Sequence, residues 1–419
     1  MRNPRKSLAR VGALARTAVG VGAITMASAQ AVAVGSLIAM DNVAKKKRKK
    51  RPAPRPGRFD AEVDDSHLEV FTCGEDLYKQ MLDDINAAEH TIMFETFIWK
   101  GDNAGQRFMD ALNAAAERGV TVFVIYDVFA NLVVPDEFYE QISPKIHVHL
   151  MHPISRSVWR APIRSTGLNH SKTLVIDDEI GYVGGFNIGD QYEMEWRDTH
   201  VRETGPAVWA LRQSFVNVWN EDRPTDARIP WIPPHSWNPR VEVHPNLPLQ
   251  MVYPIRRMYL AAIERAQKNI WLATPYFVPD GQVLEPLMDA ARRGVDVRLM
   301  LPEKSNHVIV DWVARGFYGE LLEAGVRILL YRPAMNHSKI ATVDGQWATV
   351  GTANLDRLSL ALNYETNLEV KHPNFAKAIE SVFEADFAYS YEIDPKKWKS
   401  RRHVERVTEG LLVPFRRFL

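Results

Sequence analysis

The chain has 419 residues, of which 46% are hydrophobic and 25% charged, and its formal net charge is +1. This composition excludes a disordered or fibrous protein and allows one large hydrophobic core or two ordinary ones. Residues 1–58 hold 14 Lys and Arg against one acid, Asp41, which leaves 38 basic and 50 acidic residues from Phe59 onward; a net of −12 in the body argues against a uniformly basic nucleic-acid surface.

The first predicted element is an uncharged stretch of 24 residues at 17–40, which is long enough to span a bilayer. The basic run at 45–58 outweighs the positive charges before the stretch, so an anchor here would leave the folded domain on the cytoplasmic face of the membrane. Two alternatives remain open: a cleaved signal peptide with a small-residue site near "ASAQAVA", or a solvated Ala-rich tail. Residues 1–58 are therefore interpreted as a candidate transmembrane segment followed by a polybasic linker.

The body of the chain repeats one order of elements. An apolar run at 91–99 precedes a helix ending in "ALNAAAERGV" and a buried strand at 121–127; a similar run at 269–277 precedes a helix ending in "LMDAARRGV" and a strand at 296–302. Both helices stop at Gly before a β-rich run, which is typical of strand-helix-strand units in an α/β sheet. We therefore predict an α/β fold with two similar halves, 59–220 and 249–395, followed by a basic tail at 396–419.

A Pro-rich segment at 221–248 separates the two halves. Its seven prolines predict a linker without regular elements. Trp231 and Trp237 lie within it, and either they contact lipid at the rim of a site or, as we favour, they pack onto the domain.

The tetrapeptide "NHSK" occurs twice, at 169–172 and 336–339. Counted from each His, identical residues recur: Lys at +2, Asp at +7, Gly at +14 and Asn at +17, with a carboxylate at +28. Matches at so many fixed offsets indicate a duplication rather than chance. The candidate site residues are His170, Lys172, Asp177, Asn187 and Asp198, with the counterparts His337, Lys339, Asp344, Asn354 and Glu365.

The spacing of these residues indicates their chemistry. In a strand, each His and the Lys two residues later share a face, whereas Asp177 and Asp344 have the opposite parity and are expected to hold the scaffold. Two such sets face to face would supply two imidazoles, two ammonium groups and two amides without an acidic or Cys cluster for a metal. We therefore expect displacement at a phosphodiester without metal or other cofactor. One His attacks phosphorus and the other moves protons, while the +28 carboxylates orient the rings.

The stretches "HSKTLVID…GGFN" and "HSKIATVD…GTAN" resemble the two HxKxxxxD motifs, with trailing GGxN and GSxN elements, of the phospholipase D superfamily. The resemblance covers roughly residues 68–391. It implies two α/β sandwich halves packed about a pseudo-twofold axis, with both histidines at the interface and a phosphohistidine intermediate. It also implies that His170 is the nucleophile and His337 the acid/base.

Residues 354–370, "NLDRLSLALNYETNLEV", are similar to a stretch of bacterial cardiolipin synthases, although Asp-Arg-Leu-Ser stands where many relatives have Asp-x-Arg-Ser. That branch implies a membrane-bound phosphatidyltransferase that joins two phosphatidylglycerols into cardiolipin and releases glycerol. The alternatives are a phospholipase D that forms phosphatidic acid, a metal-independent nuclease and a non-catalytic scaffold. The anchor and the acidic body argue against a nucleic-acid partner, and the sequence is silent on the oligomeric state.

Overall fold

A computed structural model of the chain describes residues 53–152, 167–221, 223–234 and 237–412. The candidate membrane segment at 17–40 and most of the basic run at 45–58 lie outside these ranges. Within the described residues, no helix combines the length and the apolar character needed to cross a bilayer.

Twenty strands are present in the described residues. In chain order they are β1 (Arg58–Val63), β2 (Ser66–Phe71), β3 (Thr91–Thr96), β4 (Thr121–Asp127), β5 (His147–Met151), β6 (Thr173–Ile176), β7 (Ile180–Gly184), β8 (Trp196–Arg197), β9 (His200–Thr204), β10 (Val241–Asn246), β11 (Asn269–Ala273), β12 (Phe277–Val278), β13 (Asp296–Pro302), β14 (Arg327–Tyr331), β15 (Met335–Asn336), β16 (Ile340–Val343), β17 (Trp347–Gly351), β18 (Leu355–Asp356), β19 (Glu365–Val370) and β20 (Ser390–Glu392).

Twelve α-helices accompany the strands in the same part of the chain. They are α1 (Gly74–Ala87), α2 (Asn103–Glu117), α3 (Asp136–Tyr139), α4 (Asp190–Met194), α5 (Val208–Asn220), α6 (Pro254–Arg265), α7 (Gly281–Arg292), α8 (Val308–Ala324), α9 (Arg357–Ala361), α10 (Pro373–Phe387), α11 (Pro395–Lys399) and α12 (His403–Leu412).

The strands form two eight-stranded sheets with matching orders, β1-β2-β9-β7-β6-β3-β4-β5 and β10-β19-β17-β16-β11-β13-β14-β20. In each sheet three strands run parallel, and an antiparallel hairpin, β6-β7 or β16-β17, pairs beside them. β2 and β10 occupy equivalent places, so β1 and β20 are additions to a common plan of seven strands. The predicted pair of similar α/β halves is confirmed.

Local sequence explains the repeated helices. α2 follows Asp102, whose carboxylate accepts from Gly105 N at 3.1 Å, and α7 follows Asp280, which caps Gln282 N in the same way. Just beyond each helix, Gly119 and Gly294 adopt φ of +97° and +92°, a conformation that favours glycine and ends the helix. β4 and β13 then begin at the predicted residues 121 and 296.

Three hydrophobic clusters give the molecule its layers. One cluster joins α1 and α2 to the first sheet, and a second joins α6, α7 and α8 to the second sheet. The third draws on both sheets and on α5 and α10, which lie between them. Because this central cluster is shared, burial of apolar surface holds the two halves together.

The linker prediction at 221–248 is wrong in one respect. Residues 241–246 form β10, the edge strand of the second sheet, even though they include Pro245. An edge strand tolerates proline because its outer side needs no donor. Trp231 and Trp237 are 61% and 73% exposed, so the packing onto the domain that the sequence favours is not found.

The described part of the basic tail predicted at 396–419 is largely helical. α12 packs on α8 through Leu412, which is fully buried, and through the pair Arg315–Glu405 at 3.0 Å. Residues 413–419 lie outside the described ranges.

Candidate active site

The two histidine-bearing segments are held by backbone contacts that cross between the halves. His170 N donates to Tyr364 O at 2.9 Å, and His337 N donates to Arg197 O at 2.7 Å. Tyr364 and Arg197 each stand 27 residues after the His of their own half. The contact is thus reciprocal: each "NHSK" segment lies against the chain that leads to the other half's +28 carboxylate.

The +28 carboxylates are exchanged between the halves. Both carboxylate oxygens of Glu365 lie 3.0 Å from His170 Nδ1, and Asp198 Oδ2 lies 2.6 Å from His337 Nδ1. A carboxylate accepts, so each Nδ1 carries the proton and each Nε2 is left with a lone pair. The spacing in sequence predicted that these acids orient the histidines, but it did not indicate that each acid serves the histidine of the other half.

The two lysines lie beside their own histidines and inside the same cluster. Lys172 Nζ donates to His170 O, and Lys339 Nζ donates to His337 O, each at 2.6 Å. Both lysines are almost fully buried, at 2% and 1% exposure. The predicted sharing of a face by His and Lys is therefore what the structure has.

Asn187 and Asn354 are buried just beyond β7 and β17, which pair with the strands that follow the two motifs. Asn187 Oδ1 accepts from Ile98 N at 3.1 Å. Asn354 Oδ1 has no hydrogen-bond partner among the described residues, although the rest of its amide contacts Asp356. A buried acceptor without a partner costs free energy unless a ligand or water supplies a donor, so Asn354 is the better placed of the two to meet a bound group.

Asp177 and Asp344 lie outside the cluster around the histidines. Asp177 accepts from the backbone N–H of Glu89, His90 and Thr91 at 2.7–2.8 Å. Asp344 accepts from residues 267–269 at 2.7–2.9 Å in the same way. Each Asp follows its His by seven residues, roughly 20 Å along a strand. Both acids therefore fasten the start of a neighbouring strand, which is the scaffold role that their parity predicted.

Burial dominates the electrostatics of the cluster. It lowers the pKa of His170 and, more strongly, of His337, which keeps both imidazoles neutral in the absence of substrate. Burial also lowers the pKa of Lys172 to about 7 and of Lys339 to about 8, and raises that of Asp198 to about 6. Lys172 and Lys339 further depress the pKa of both histidines, and Glu365 opposes part of this effect at His170.

Two acids behind His170 were missed from sequence. Glu95 on β3 accepts from the Asn169 amide and from Thr173 Oγ1, both at 2.9 Å, and burial raises its pKa to about 7. Asp127 at the end of β4 accepts from Asn169 N at 3.0 Å. The equivalent positions in the second half are Ala273 and Pro302, so these acids have no counterpart there. The signal in the sequence that could have identified these acids was a carboxylate within an otherwise apolar strand.

A buried ion pair between the halves was also missed. Arg197 Nη2 lies 2.8 Å from Asp386 Oδ2 on α10, and neither side chain is exposed. Arg197 also donates to Thr199 Oγ1 at 3.2 Å and approaches Ser338 Oγ at 3.4 Å, next to His337. The pair therefore joins the two halves directly behind the second histidine.

Aromatic rings cover the two histidines. Phe97 lies edge-on to His170 with ring centroids 4.8 Å apart, and Trp196 lies 5.0 Å from His337. With the histidines 8% and 4% exposed, little water reaches the cluster. Two imidazoles, two ammonium groups and two carboxylates are thus gathered in one dry site, which suits stabilisation of a charged phosphoryl transition state.

The family model described as "Cardiolipin synthase, PLD-like domain" matches the chain twice, over residues 81–219 and 259–387. The chain belongs to the cardiolipin synthase branch of the phospholipase D superfamily. Each match ends within or just after the helix, α5 or α10, that lies between the sheets, so the duplicated unit of this family corresponds to one half of the molecule.

Relatives of this cardiolipin synthase branch align with most of the chain. It is 33% identical over 364 residues to the major cardiolipin synthase ClsA of Bacillus subtilis, an alignment that spans 83% of this chain and 74% of the relative. It is 33% identical over 354 residues to a cardiolipin synthase of Listeria monocytogenes, with 80% and 72% covered.

Solved structures show the same fold at lower identity. A phosphatidylserine synthase of Haemophilus influenzae superposes with a TM-score of 0.64 at 16% identity, covering 86% of this chain and 94% of that one. The polyphosphate kinase of Porphyromonas gingivalis gives a TM-score of 0.53 at 13% identity, covering 84% and 53%. At these identities the likeness is one of fold alone.

Proposed function

We propose that this chain is a cardiolipin synthase, a phosphatidyltransferase that joins two phosphatidylglycerols into cardiolipin and releases glycerol. The observation that carries the proposal is the reciprocal pairing of each histidine with the carboxylate of the other half. It builds two oriented imidazoles into one site with two lysines. Membership of the cardiolipin synthase branch supports the lipid substrate.

In the first half-reaction, His170 Nε2 attacks the phosphorus of one phosphatidylglycerol. The P–N bond forms while the bond from phosphorus to the glycerol headgroup oxygen breaks, and His337 Nε2 gives its proton to the departing alkoxide. Glu365 supports the developing positive charge on His170, as an acid does for the histidine of a catalytic triad. Glycerol then leaves a phosphatidyl group on His170.

In the second half-reaction, a headgroup hydroxyl of another phosphatidylglycerol takes the place of glycerol. His337 Nε2 accepts its proton, the hydroxyl oxygen bonds to phosphorus, and the P–N bond breaks. Cardiolipin leaves and His170 is regenerated. The proton that His337 lends in the first step is thus returned in the second.

The buried charges suit this sequence of steps. In the free enzyme burial lowers the histidine pKa values, so His170 is a neutral nucleophile. A bound phosphodiester adds a negative charge beside Lys172, Lys339 and His337, which favours their protonated forms. Substrate binding therefore charges the groups that stabilise the equatorial oxygens and the leaving group.

The amino-terminal region is assigned to membrane attachment. The uncharged stretch at 17–40 anchors the protein in the bacterial cell membrane, and the basic run at 45–58 retains the catalytic domain on the cytoplasmic face. The run also offsets repulsion between the acidic body and anionic lipid. Deletion of 45–58 tests this point, because unchanged binding to anionic vesicles would rule it out.

The activity is tested with the full chain, phosphatidylglycerol vesicles and a chelator, with products separated as cardiolipin plus glycerol or as phosphatidic acid. We expect cardiolipin and glycerol in equal amounts. His170→Ala and His337→Ala should abolish turnover, whereas His403→Ala, at an exposed histidine of α12, should not. Phosphatidic acid as the main product would make water the acceptor. Full activity in either site variant would contradict the two-histidine mechanism.

A further inference from the structure

The turn between β4 and α3 exposes three large apolar side chains in a short stretch. Phe129, Leu132 and Val133 are 55%, 69% and 79% exposed, and Val133 is the most exposed of the large hydrophobic residues described. The turn carries no charged residue between Asp127 and Asp136. Adjacent exposed apolar side chains of this size are unfavourable in water and mark a surface that contacts something else.

The turn is firmly held from beneath. Asp127 Oδ1 accepts from Ala130 N at 2.9 Å, and the buried Asn131 accepts from Trp99 N at 2.8 Å. Val134, 8% exposed, belongs to the core cluster that includes α1 and α2. The three apolar side chains therefore project from an ordered base, which keeps the entropic cost of presenting them to a partner small.

The same contacts place the turn beside the nucleophile. Asn131 Nδ2 donates to Phe97 O at 2.8 Å, and the Phe97 ring lies 4.8 Å from the His170 ring. Asp127, which caps the turn through one oxygen, accepts from Asn169 N through the other at 3.0 Å. The turn is thus connected to His170 through Asn131 and Phe97.

A second exposed apolar pair lies by the segment that leads to His170. Met251 and Val252 are 51% and 41% exposed, in the turn that follows Pro248. A Cβ placed on Gly167 would lie 3.7 Å from the Pro248 ring, so this turn adjoins the start of the segment. Met251 adopts φ of +58°, an uncommon conformation for a residue with a side chain.

We propose that the turn at 128–134, which we call the β4 turn, inserts into the acyl region of the lipid leaflet beside the active site, with Met251 and Val252 as a secondary contact. The proposal rests on the proposed function, since a phospholipid that reaches His170 keeps its acyl chains in the bilayer. Its phosphodiester lies at the headgroup level, so the edge of the protein next to a buried histidine must meet that surface. Apolar side chains that project from that edge are suited to contact with acyl chains.

The composition of the β4 turn distinguishes this contact from an electrostatic one. Phe, Leu and Val insert by burying apolar area, whereas Lys and Arg attract anionic headgroups and are screened by salt. With no Lys or Arg from Val128 to Pro135, the contact should depend little on ionic strength or on lipid charge. The basic run at 45–58 should show the opposite behaviour.

The contact is tested by labelling the full chain with an environment-sensitive fluorophore in phosphatidylglycerol vesicles. Leu132→Cys carries the probe, and Ala114→Cys, an exposed position on α2 towards the other end of β4, is the matched control. The natural Cys73 is buried, so unsubstituted protein sets the labelling background. We expect blue-shifted emission and quenching by acyl-chain nitroxides at 132 only. The signal at 132 should persist in high salt.

If something other than lipid covers the β4 turn, the fluorescence measurements will show it. If a second copy of the chain covers it, the probe at 132 is shielded without lipid and escapes the acyl-chain quencher, which overturns the proposal. Equal accessibility of positions 132 and 114 to an aqueous quencher in the presence of vesicles also overturns it.

Turnover gives an independent readout. Leu132→Ser with Val133→Ser should lower the ratio of turnover on vesicles to turnover on a monomeric short-chain phosphatidylglycerol by roughly tenfold, because buried apolar area is lost. An unchanged ratio overturns the proposal. Failure of the proposed function is distinguishable, since unsubstituted protein would then form no cardiolipin from either lipid while the probe at 132 would still report on contact with acyl chains.

Discussion

Glu365→Gln in the second half should disable the histidine of the first half. Both oxygens of Glu365 lie 3.0 Å from His170 Nδ1, and Oε2 also accepts from Thr352 Oγ1 at 2.5 Å. Glutamine has nearly the same shape and can still accept from the His170 Nδ1–H through its carbonyl oxygen. The substitution therefore removes the negative charge while keeping the tautomer that leaves Nε2 free to attack.

The expected magnitude follows from that loss of charge. A buried hydrogen bond to a charged group contributes about 1.5 to 3 kcal/mol, and the positive charge on His170 develops only during attack. Most of this contribution is therefore lost from the transition state, which corresponds to a rate reduction of roughly 10- to 150-fold. A glutamine that instead presents its NH₂ group to Nδ1 would force the other tautomer and lower the rate further.

The assay separates the two histidines by the leaving group. With a phosphatidyl p-nitrophenyl ester, nitrophenolate departs without a proton, so the burst of nitrophenol reports attack by His170 alone. Glu365→Gln should slow this burst. Asp198→Asn, which affects His337, should leave the burst near the unsubstituted rate and slow the later steady state, in which His337 must deprotonate the incoming hydroxyl.

Two results would refute this reasoning. One is a burst that is equally slow in both variants, and the other is a normal burst in Glu365→Gln. Glu203→Gln is the matched control, because Glu203 is a buried carboxylate on β9, the strand equivalent to β19, and it accepts from Ser66 Oγ and Ala207 N rather than from a histidine. The burst of Glu203→Gln should be unchanged, which would show that loss of a buried acid from the sheet is not enough by itself to slow attack by His170.

Three further predictions follow from the described contacts. Asp177→Asn should lower the free energy of unfolding in urea by about 1 to 3 kcal/mol, because three backbone donors lose a charged acceptor. The kcat of this variant should stay near that of the unsubstituted protein. A large fall in kcat would give this acid a direct role in the reaction. Asp386→Asn should destabilise by about 3 to 5 kcal/mol in the same assay, because it leaves the Arg197 guanidinium buried without its counter-ion, and a change below about 1 kcal/mol would contradict this. The value of kcat/KM should fall below about pH 6, where Asp198 gains a proton, and above about pH 7, where Lys172 loses one. A profile that is flat from pH 5 to 9 would exclude both groups as the source of the pH dependence.

Much of the fold was predictable because its signals are local. Apolar runs and the glycines that end the helices predicted the strand-helix-strand units, and the strands at 121–127 and 296–302 have the predicted bounds. The offset between His and Asp177 was informative too, since alternation along a strand decides which face a side chain occupies. These inferences needed no knowledge of how the halves pack.

The rest depended on contacts between distant parts of the chain. An offset of 28 residues says nothing about which histidine Glu365 meets, because that depends on how the two sheets face each other. Likewise, the sequence alone does not reveal that Arg197 is buried in an ion pair, because its partner Asp386 lies 189 residues later. The linker prediction failed at Pro245 for a related reason. Proline is tolerated in an edge strand, and only the order of strands in the sheet reveals that β10 is one.

The reciprocal construction also ties catalysis to the packing of the halves. Arg197 pairs with Asp386 through its side chain and accepts from His337 N through its backbone, and the next residue, Asp198, orients the His337 ring. A shift between the halves would therefore move the backbone and the carboxylate that hold His337 together. Tyr364 and Glu365 hold His170 in the same way. Each half carries a complete HxKxxxxD motif, yet either half alone lacks the acid that orients its histidine, so duplication of the motif supplies a working site only when the two copies meet.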